Sequence, residues 1–99
     1  MKIVAVTACP TGIAHTYMAA EQLEKTAKKL GHAIKVETQG AMGIENELTQ
    51  PEIDAAEVAI LATDIAIEQV ERFNKIRKIQ IPVQFVLKNP EAIFAQLST

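Results

Sequence analysis

Residues 3–16 read IVAVTACPTGIAHT and connect an apolar segment to a helical pattern through a short turn. Lys2 to Thr7 is apolar or β-branched on both alternating faces, which is typical of a strand buried in a parallel sheet. Cys9, the only cysteine of the chain, comes just after this strand, and Gly12 permits a tight turn. A helix-like pattern begins at about Ala14. These residues therefore predict the first strand–turn–helix unit of an α/β fold.

The same alternation of strand and helix patterns continues along the first half of the chain. From about Ala14 to Leu30, apolar residues recur at spacings of three and four: Tyr17, Ala20, Leu23, Ala27 and Leu30. Gly31 is expected to end this helix in a left-handed conformation. Ala33 to Gln39 alternates, with Lys35 and Glu37 pointing away from the apolar side. This pattern predicts an edge or half-exposed strand.

The second half contains two further predicted strands and three short helices. Residues 39–50 form a loop, and Thr49 with Glu52 fits a capping box that opens a short helix. Val58 to Ala62 is apolar on both faces and predicts a second central strand. Residues 68–73 predict a short helix with Val70 and Phe73 facing inward. Ile81 to Leu87 alternates and predicts an edge strand, and the last helix begins at Pro90 with Ile93, Phe94 and Leu97 inward.

These elements predict one α/β domain, residues 1–99, with three layers and a Rossmann-like arrangement. The sheet is expected to have four parallel strands in the order 2-1-3-4, with helices on both faces. In such sheets, ligands bind beyond the carboxyl ends of the strands where the strand order reverses. The reversal is expected between the first and third strands, where Cys9 and Asp64 follow their strands.

Composition excludes several classes of function. A net charge of −2 gives no cationic face for nucleic acid, so no nucleic-acid partner is expected. No apolar run approaches the roughly 20 residues that span a bilayer, and the first ten residues lack the pattern of a secretion signal. A lone cysteine cannot form an internal disulfide, which favours a reducing cytoplasm. We expect neither a metal ion nor a cofactor.

The turn after the first strand is predicted to bind an anion of the size of phosphate. Backbone N–H groups at a helix N-terminus converge on one point, where the helix dipole adds positive potential. The expected donors, and hence the phosphate-binding residues, are Thr11, Gly12, Ile13, Ala14, His15 and Thr16. A thiol at this point ionises more readily, and the thiolate is the reactive form. The Thr16 hydroxyl is expected to donate to the Cys9 sulfur, so Cys9 is the predicted nucleophile.

A thiolate in such an anion site predicts a loop that accepts and passes on a phosphoryl group, and three other functions compete with this hypothesis. Cysteine phosphatases carry an arginine after the cysteine and five further residues, and His15 occupies that position here. A low-molecular-weight phosphatase-like hydrolase is therefore the first alternative, disfavoured by the missing arginine. A thiol redox enzyme needs a resolving cysteine, which the chain lacks. A regulatory module that binds phosphate without forming an S–P bond is the third.

Three stretches resemble one known family. Residues 9–20, CPTGIAHTYMAA, look like the active-site stretch of fructose-type enzyme IIB components of the bacterial phosphoenolpyruvate-dependent sugar phosphotransferase system. Residues 36–40 and 43–49, VETQG and GIENELT, resemble the second stretch of that family. Ala62-Thr63-Asp64 resembles the end of its third strand. The similarity extends over nearly the whole chain.

The resemblance implies a phosphoryl carrier with two protein partners. A phosphohistidine on a IIA protein or domain gives its phosphoryl group to Cys9, and the phosphocysteine gives it to a sugar bound by a membrane IIC permease during uptake. Fructose is the default sugar of the family, and fructose-like or mannosyl sugars are alternatives. The chain is expected to be cytoplasmic, peripheral to the membrane through IIC, and either a separate subunit or part of a longer protein. Cys9 is expected at the surface.

Two further features of the sequence each allow two interpretations. Asp64 lies where it can shape the predicted crevice, but an aspartate after a strand is more often a turn or cap residue. Arg72, Lys75, Arg77 and Lys78 form a local basic cluster. Most such clusters are solvated faces, and the alternative is a docking surface for an acidic or phosphorylated partner.

Overall fold

The fold is built on one mixed sheet that forms the middle of three layers. The computed structural model describes residues 1–8, 13–40 and 43–97. The strands are β1 (Lys2–Ala8), β2 (Ala33–Gly40), β3 (Gly43–Glu45), β4 (Val58–Thr63) and β5 (Arg77–Ile81). Their order in the sheet is β3-β2-β1-β4-β5. We call the end of the sheet where the four parallel strands terminate the carboxyl edge; it is marked by Ala8, Gly40, Thr63 and Ile81.

Helices cover both faces of the sheet. They are α1 (Ile13–Lys29), α2 (Gln50–Ala55), a 3-10 helix (Val70–Phe73), α3 (Val83–Lys88) and α4 (Pro90–Leu97). One buried cluster joins Ile3, Ala5 and Ile60 to α1, α3 and α4, and a second joins Val4, Val6 and Leu61 to α2 and the 3-10 helix. Both faces of β1 and β4 are therefore buried, as their continuous apolar runs predict. The predicted α/β class and three-layer arrangement are confirmed.

The sheet contains one strand more than the predicted four. β2, β1, β4 and β5 are parallel and follow the predicted order, but β3 pairs antiparallel with the end of β2, where Gly40 is opposite Gly43. Three residues are too few to show an alternating pattern, so residues 39–50 read as a loop. β3 pairs with only the last three residues of β2, Thr38 to Gly40, so β2 is not the edge strand there, contrary to the prediction of an edge or half-exposed strand. Glu37, which was predicted to point away from the apolar side, is completely buried.

The predicted last strand was misplaced. β5 spans Arg77–Ile81, and the segment predicted as a strand, residues 81–87, mostly belongs to α3. β5 lies at the edge of the sheet, where one face is solvated, so its charged and polar residues hide the strand pattern. In α3, Val83 and Val86 are buried while Phe85 is 36% exposed. This spacing of three is helical, and the alternation that predicted a strand was coincidental.

Most of the remaining local predictions are confirmed. Gly31 has φ +82 after α1. The capping box of Thr49 and Glu52 forms at the start of α2, and Ile93, Phe94 and Leu97 are buried on α4. Tyr17 and Leu30, at the two ends of the periodic apolar series of α1, are exposed, and so is Val70, which was predicted to face inward. The prediction for residues 68–73 is confirmed as a 3-10 helix over Val70–Phe73 with Phe73 buried.

Candidate phosphoryl-transfer site at the carboxyl edge

The strand order reverses between β1 and β4, which is where a ligand site was predicted. Ala8, the last residue of β1, lies opposite Gln39 of β2 and opposite Thr63 of β4. The Asp64 N–H donates to the Ala8 carbonyl oxygen at 3.1 Å. The end of β1 therefore lies between two neighbouring strand ends, which is the usual ligand position in an open α/β sheet.

The predicted phosphate-binding residues fall partly outside the described residues. Cys9, Thr11 and Gly12 lie outside them, so their predicted roles stay predictions. Ile13 and Ala14 are the first two residues of α1, and His15 and Thr16 complete its first turn. The first N–H groups of a helix have no partner within the helix and carry the positive end of its dipole. The first turn of α1 thus supplies the kind of backbone donors that an anion site needs.

A buried hydrogen bond joins the end of β1 to the first turn of α1. The Thr7 hydroxyl donates to the Thr16 carbonyl oxygen at 3.1 Å, and the two residues are 0% and 2% exposed. This bond fixes the first turn of α1 against the end of β1. The Thr16 hydroxyl is itself buried and has no hydrogen-bond partner among the described residues. A buried hydroxyl is costly unless it is paired, so this unpaired group is a notable feature of the first turn of α1.

His15 and Asp64 differ in exposure and in hydrogen bonding. His15 is exposed on the first turn of α1. The Asp64 carboxylate accepts a hydrogen bond from the Val83 N–H at 3.2 Å, at the first residue of α3. Asp64 therefore satisfies the first backbone N–H of α3, a structural contact.

Of the basic cluster read from the sequence, Lys75, Arg77 and Lys78 are exposed, but the Arg72 side chain is not. The Arg72 side chain is buried against Glu37, and the Lys78 amino group donates to the Phe73 carbonyl oxygen at 3.2 Å. Arg77 donates to the Gln96 carbonyl oxygen at 3.5 Å. The interpretation of these residues as a common solvated face is therefore wrong for Arg72, whose side chain belongs to the interior.

A buried ion pair between Glu37 and Arg72 was missed by the sequence analysis. The guanidinium donates to both carboxylate oxygens, at 2.9 and 2.5 Å. The Leu48 N–H and the Gln39 side-chain amide each donate at 2.8 Å. Burial raises the pKa of the Glu37 carboxyl, but these hydrogen bonds and the Arg72 charge outweigh it, so the pKa lies below its usual value.

Gln39 extends this network to the chain that follows β4. Its side-chain oxygen accepts from the Glu68 N–H at 2.9 Å, and its amide nitrogen donates to the Glu68 carbonyl oxygen at 3.3 Å. These two hydrogen bonds hold the segment after β4 against the end of β2. The sequence contains no signal of this network, because Glu37 fits the polar side of an alternating strand pattern. Its partner lies 35 residues away, so no local pattern indicates the pair.

None of the helices in the described part of the chain has the length and apolar character needed to cross a bilayer.

The chain is similar to known phosphotransferase components over almost its entire length. Residues 4–96 match the family model described as "PTS system, Lactose/Cellobiose specific IIB subunit". The PTS system fructose-like EIIB component 2 of Escherichia coli K12 is 48% identical over 97% of this chain and 91% of its own length. The 2-O-alpha-mannosyl-D-glycerate-specific EIIABC component of the same organism is 50% identical over 98% of this chain, which spans only 15% of that protein.

Solved structures give the same result. A domain of the fructose-specific IIABC component of Borrelia burgdorferi superposes with a TM-score of 0.91 at 50% identity, covering 96% of this chain and 90% of that domain. A structure described as a predicted fructose-specific IIB from Escherichia coli gives 0.93 at 43% identity, covering 98% and 86%. Family model, relatives and solved structures agree over almost the whole chain, and the chain therefore belongs to the IIB family of the sugar phosphotransferase system, among its fructose-like members.

Proposed function

We propose that Cys9 carries a phosphoryl group from a phosphohistidine on a IIA partner to a sugar bound by a membrane IIC permease. Family membership supports phosphoryl transfer in sugar uptake in general. The observation that supports this particular site is the first turn of α1 at the strand reversal, where the buried Thr16 hydroxyl lacks a partner among the described residues. One relative is named fructose-like and one solved structure is from a fructose-specific component, which favours fructose or a fructose-like sugar as the substrate. The chain would act in the cytoplasm, at the inner face of the membrane where IIC takes up its sugar.

The proposed reaction consists of two substitutions at phosphorus. In the first, the Cys9 thiolate forms an S–P bond while the P–N bond of the phosphohistidine breaks, and the nitrogen keeps the electron pair. In the second, a sugar hydroxyl oxygen forms an O–P bond while the S–P bond breaks and returns the thiolate. A base in the permease accepts the hydroxyl proton. Both transition states carry negative charge on the phosphoryl oxygens, which positioned donors stabilise.

The residues around Cys9 would have different roles in this phosphoryl transfer. Backbone N–H groups of Thr11, Gly12, Ile13 and Ala14, with those of His15 and Thr16, would hold the phosphoryl oxygens. The Thr16 hydroxyl would donate to the sulfur, which favours the thiolate and makes it a better leaving group. His15, exposed on the same turn, would act in transfer without being required for it. Residues 9–16 contain no arginine to fix the phosphate for hydrolysis, so the phosphocysteine persists until a partner accepts the group.

The test is intact-protein mass spectrometry after incubation with a phosphorylated fructose-type IIA. Wild-type protein should gain one phosphoryl group, and Cys9→Ser should gain none while keeping its circular dichroism spectrum. The His15→Ala variant should gain the same group more slowly. A Cys9→Ser variant that is labelled as well as wild type would show that Cys9 is not the acceptor. Appreciable hydrolysis of an aryl phosphate by the wild-type protein would favour the phosphatase-like alternative instead.

A further inference from the structure

A short segment after β4 crosses the end of β1. Asp64, which directly follows β4, donates its backbone N–H to the Ala8 carbonyl oxygen at 3.1 Å. Four residues later, the backbone of Glu68 is bonded to the Gln39 side chain of β2. Because β1 lies between β4 and β2 in the sheet, the chain here passes from one neighbour of β1 to the other at the carboxyl end of that strand. We call residues 64–68 the crossing segment.

The crossing segment and α1 lie on opposite faces of the sheet. Ile67 packs against the buried cluster that contains Val4 and Val6, whereas α1 belongs to the cluster on the other face. Ala8 follows Val4 and Val6 at alternate positions of β1, so its side chain points to the face of the crossing segment. Ala8 is completely buried although it is the last residue of its strand. The end of β1 is therefore held between α1 on one face and the crossing segment on the other.

The Gln39 side chain uses its whole amide group to hold the crossing segment. Its oxygen accepts the Glu68 N–H at 2.9 Å, and its nitrogen donates to the Glu68 carbonyl oxygen at 3.3 Å and to the Glu37 carboxylate at 2.8 Å. The Glu37 carboxylate is fixed in turn by Arg72. Since a primary amide has two N–H donors, both are engaged and the group is held in one orientation. A buried side chain of β2 therefore sets the position of the crossing segment.

The residue that follows the crossing segment has a strained backbone. Gln69 has φ +60, in the left-handed region that residues other than glycine, asparagine and aspartate seldom adopt. Its carbonyl oxygen accepts the Arg72 N–H at 3.2 Å, at the start of the 3-10 helix. Strain of this kind persists only where surrounding contacts impose it, and it is concentrated at functional sites. The conformation of Gln69 thus indicates independently that the fold imposes the path of the crossing segment.

We propose that Gln39 is a positioning residue for phosphoryl transfer, acting through the crossing segment on the end of β1. This proposal rests on the proposed function, in which the reacting residue directly follows Ala8. Cys9 itself lies outside the described residues, so the proposal concerns the strand end from which it extends. Phosphoryl transfer requires the reacting atoms to be held in line, and a misplacement of about 1 Å can lower a rate about 100-fold. Without the two bonds from Gln39, the bond between Asp64 and Ala8 loses its support.

The test compares the full-length Gln39→Met variant with wild type and with Ile93→Val. Methionine fills nearly the same buried space as glutamine, but it cannot hold the Glu68 backbone or the Glu37 carboxylate. Ile93 is completely buried on α4, in the cluster on the other face of the sheet. Ile93→Val therefore lowers stability without contact with the crossing segment. Urea unfolding gives the loss of stability in each variant, and the measurements below are made where all three proteins are folded.

Hydrogen exchange followed by NMR measures how firmly the crossing segment is held. In wild type, the Asp64 and Glu68 amides should be protected to a similar degree, because the segment opens as a unit. In Gln39→Met, both should exchange at least ~5-fold faster relative to the Ile60 amide of β4, the factor that corresponds to about one hydrogen bond. Ile93→Val should leave this ratio unchanged. Unequal protection of the two amides in wild type, or an unchanged Asp64 amide in Gln39→Met, would overturn the proposal.

Transfer kinetics show whether this hold serves the reaction. Each protein is mixed rapidly with a phosphorylated fructose-type IIA, and the gain of a phosphoryl group is followed by intact-protein mass spectrometry. We expect Gln39→Met to lower the maximal rate constant about 10-fold, because the reacting group is misplaced. The IIA concentration that gives half the maximal rate should stay within about 2-fold of wild type, since docking is unaffected. Ile93→Val should match wild type in both quantities.

Three kinetic results would contradict a positioning role. A wild-type maximal rate in Gln39→Met would show that the hold on Glu68 does not serve the reaction. A raised half-saturating concentration at an unchanged maximal rate would show that the crossing segment contacts IIA instead. Equal slowing by Ile93→Val would show a general effect of stability. Absence of phosphorylation in wild type as well as in both variants would overturn the proposed function and this proposal together, which distinguishes that failure from a loss in Gln39→Met alone.

Discussion

At the scale of single residues, a hydrogen bond between two threonines holds the first turn of α1 against the end of β1. Thr7 is β-branched and suits a central strand, and its buried hydroxyl finds the Thr16 carbonyl oxygen. Thr16 in turn has a buried hydroxyl without a partner among the described residues. A protein core rarely retains such a group without a reason, and these reasons concentrate at functional sites. Here that hydroxyl lies one helical turn from the segment that contains Cys9.

Replacing Thr16 tests whether its hydroxyl stabilises the Cys9 thiolate. Thr16→Val keeps the shape but removes the donor. A hydrogen bond to a charged acceptor contributes about 1.5 kcal/mol, which corresponds to roughly one pKa unit. We therefore expect alkylation of Cys9 by iodoacetamide to shift to higher pH by about one unit, with an unchanged thermal midpoint. Thr16→Ser, which keeps the hydroxyl, should retain the wild-type profile. A Thr16→Val profile identical to wild type would contradict the role.

The buried pair of Glu37 and Arg72 makes a second prediction at this scale. Glu37→Gln leaves the guanidinium of Arg72 buried without a counter-charge, and breaking a buried pair in this way costs about 3 kcal/mol. Urea unfolding at pH 7 should show that loss in the free energy of unfolding. Glu45→Gln, at an exposed carboxylate, should change it by less than about 0.5 kcal/mol. Equal effects of the two substitutions would mean that the buried pair has no special importance.

At the scale of whole elements, the sequence predicted long buried elements better than short edge elements. β1 and β4 show continuous apolar runs because helices cover both of their faces. β3 has three residues and β5 has a solvated face, so neither shows a clear period. The segment that forms α3 was predicted as a strand because its six residues fit both the strand period of two and the helix period of 3.6. Burial against α1 and β4 decides whether such a segment forms a helix or a strand. That burial depends on residues that are distant in the sequence.

The end of α1 offers a prediction with a matched control. Gly31 has φ +82, and a methyl group added to its Cα would meet no other atom within 4 Å. Gly31→Ala should therefore cost only the conformational strain of the left-handed region, about 1 kcal/mol in the free energy of unfolding. Gly40 has equally open surroundings without a positive φ, so Gly40→Ala should cost nearly nothing. Chemical denaturation of both variants measures the difference, and equal stability of the two would refute the strain.

At the scale of the whole molecule, two carboxylates link stability to pH. The pKa of Glu52 is lowered to about 2 by hydrogen bonds from Lys35 and Thr49, and that of Glu37 also lies below its usual value. Because both folded pKa values lie below those of the unfolded chain, this stabilisation is complete above about pH 4.5. It is lost progressively as the pH falls toward 2. Ionised carboxylates therefore connect β2 to α2 and to the 3-10 helix at neutral pH.

This linkage predicts the acid sensitivity of the fold. The free energy of unfolding in urea should fall steadily between pH 5 and about pH 2. Glu52→Gln removes one of the two titrating groups, so its stability should be lower at pH 7 but should decline less steeply with acid. Measuring wild type and variant at each pH gives both slopes. A variant that declines as steeply as wild type would contradict the assignment of the lowered pKa to Glu52.

The sequence by itself determined the central strands, the long helix between them, their order in the sheet and the position of Cys9 after the first strand. These features follow from local periodicity, from capping residues and from the handedness of parallel connections, all of which act over short distances along the chain. Only the tertiary structure decided that Glu37 and Arg72 meet and that Gln39 holds the chain after β4. The reason is physical: these contacts join residues that are far apart in sequence and become neighbours only when the sheet is assembled in its register.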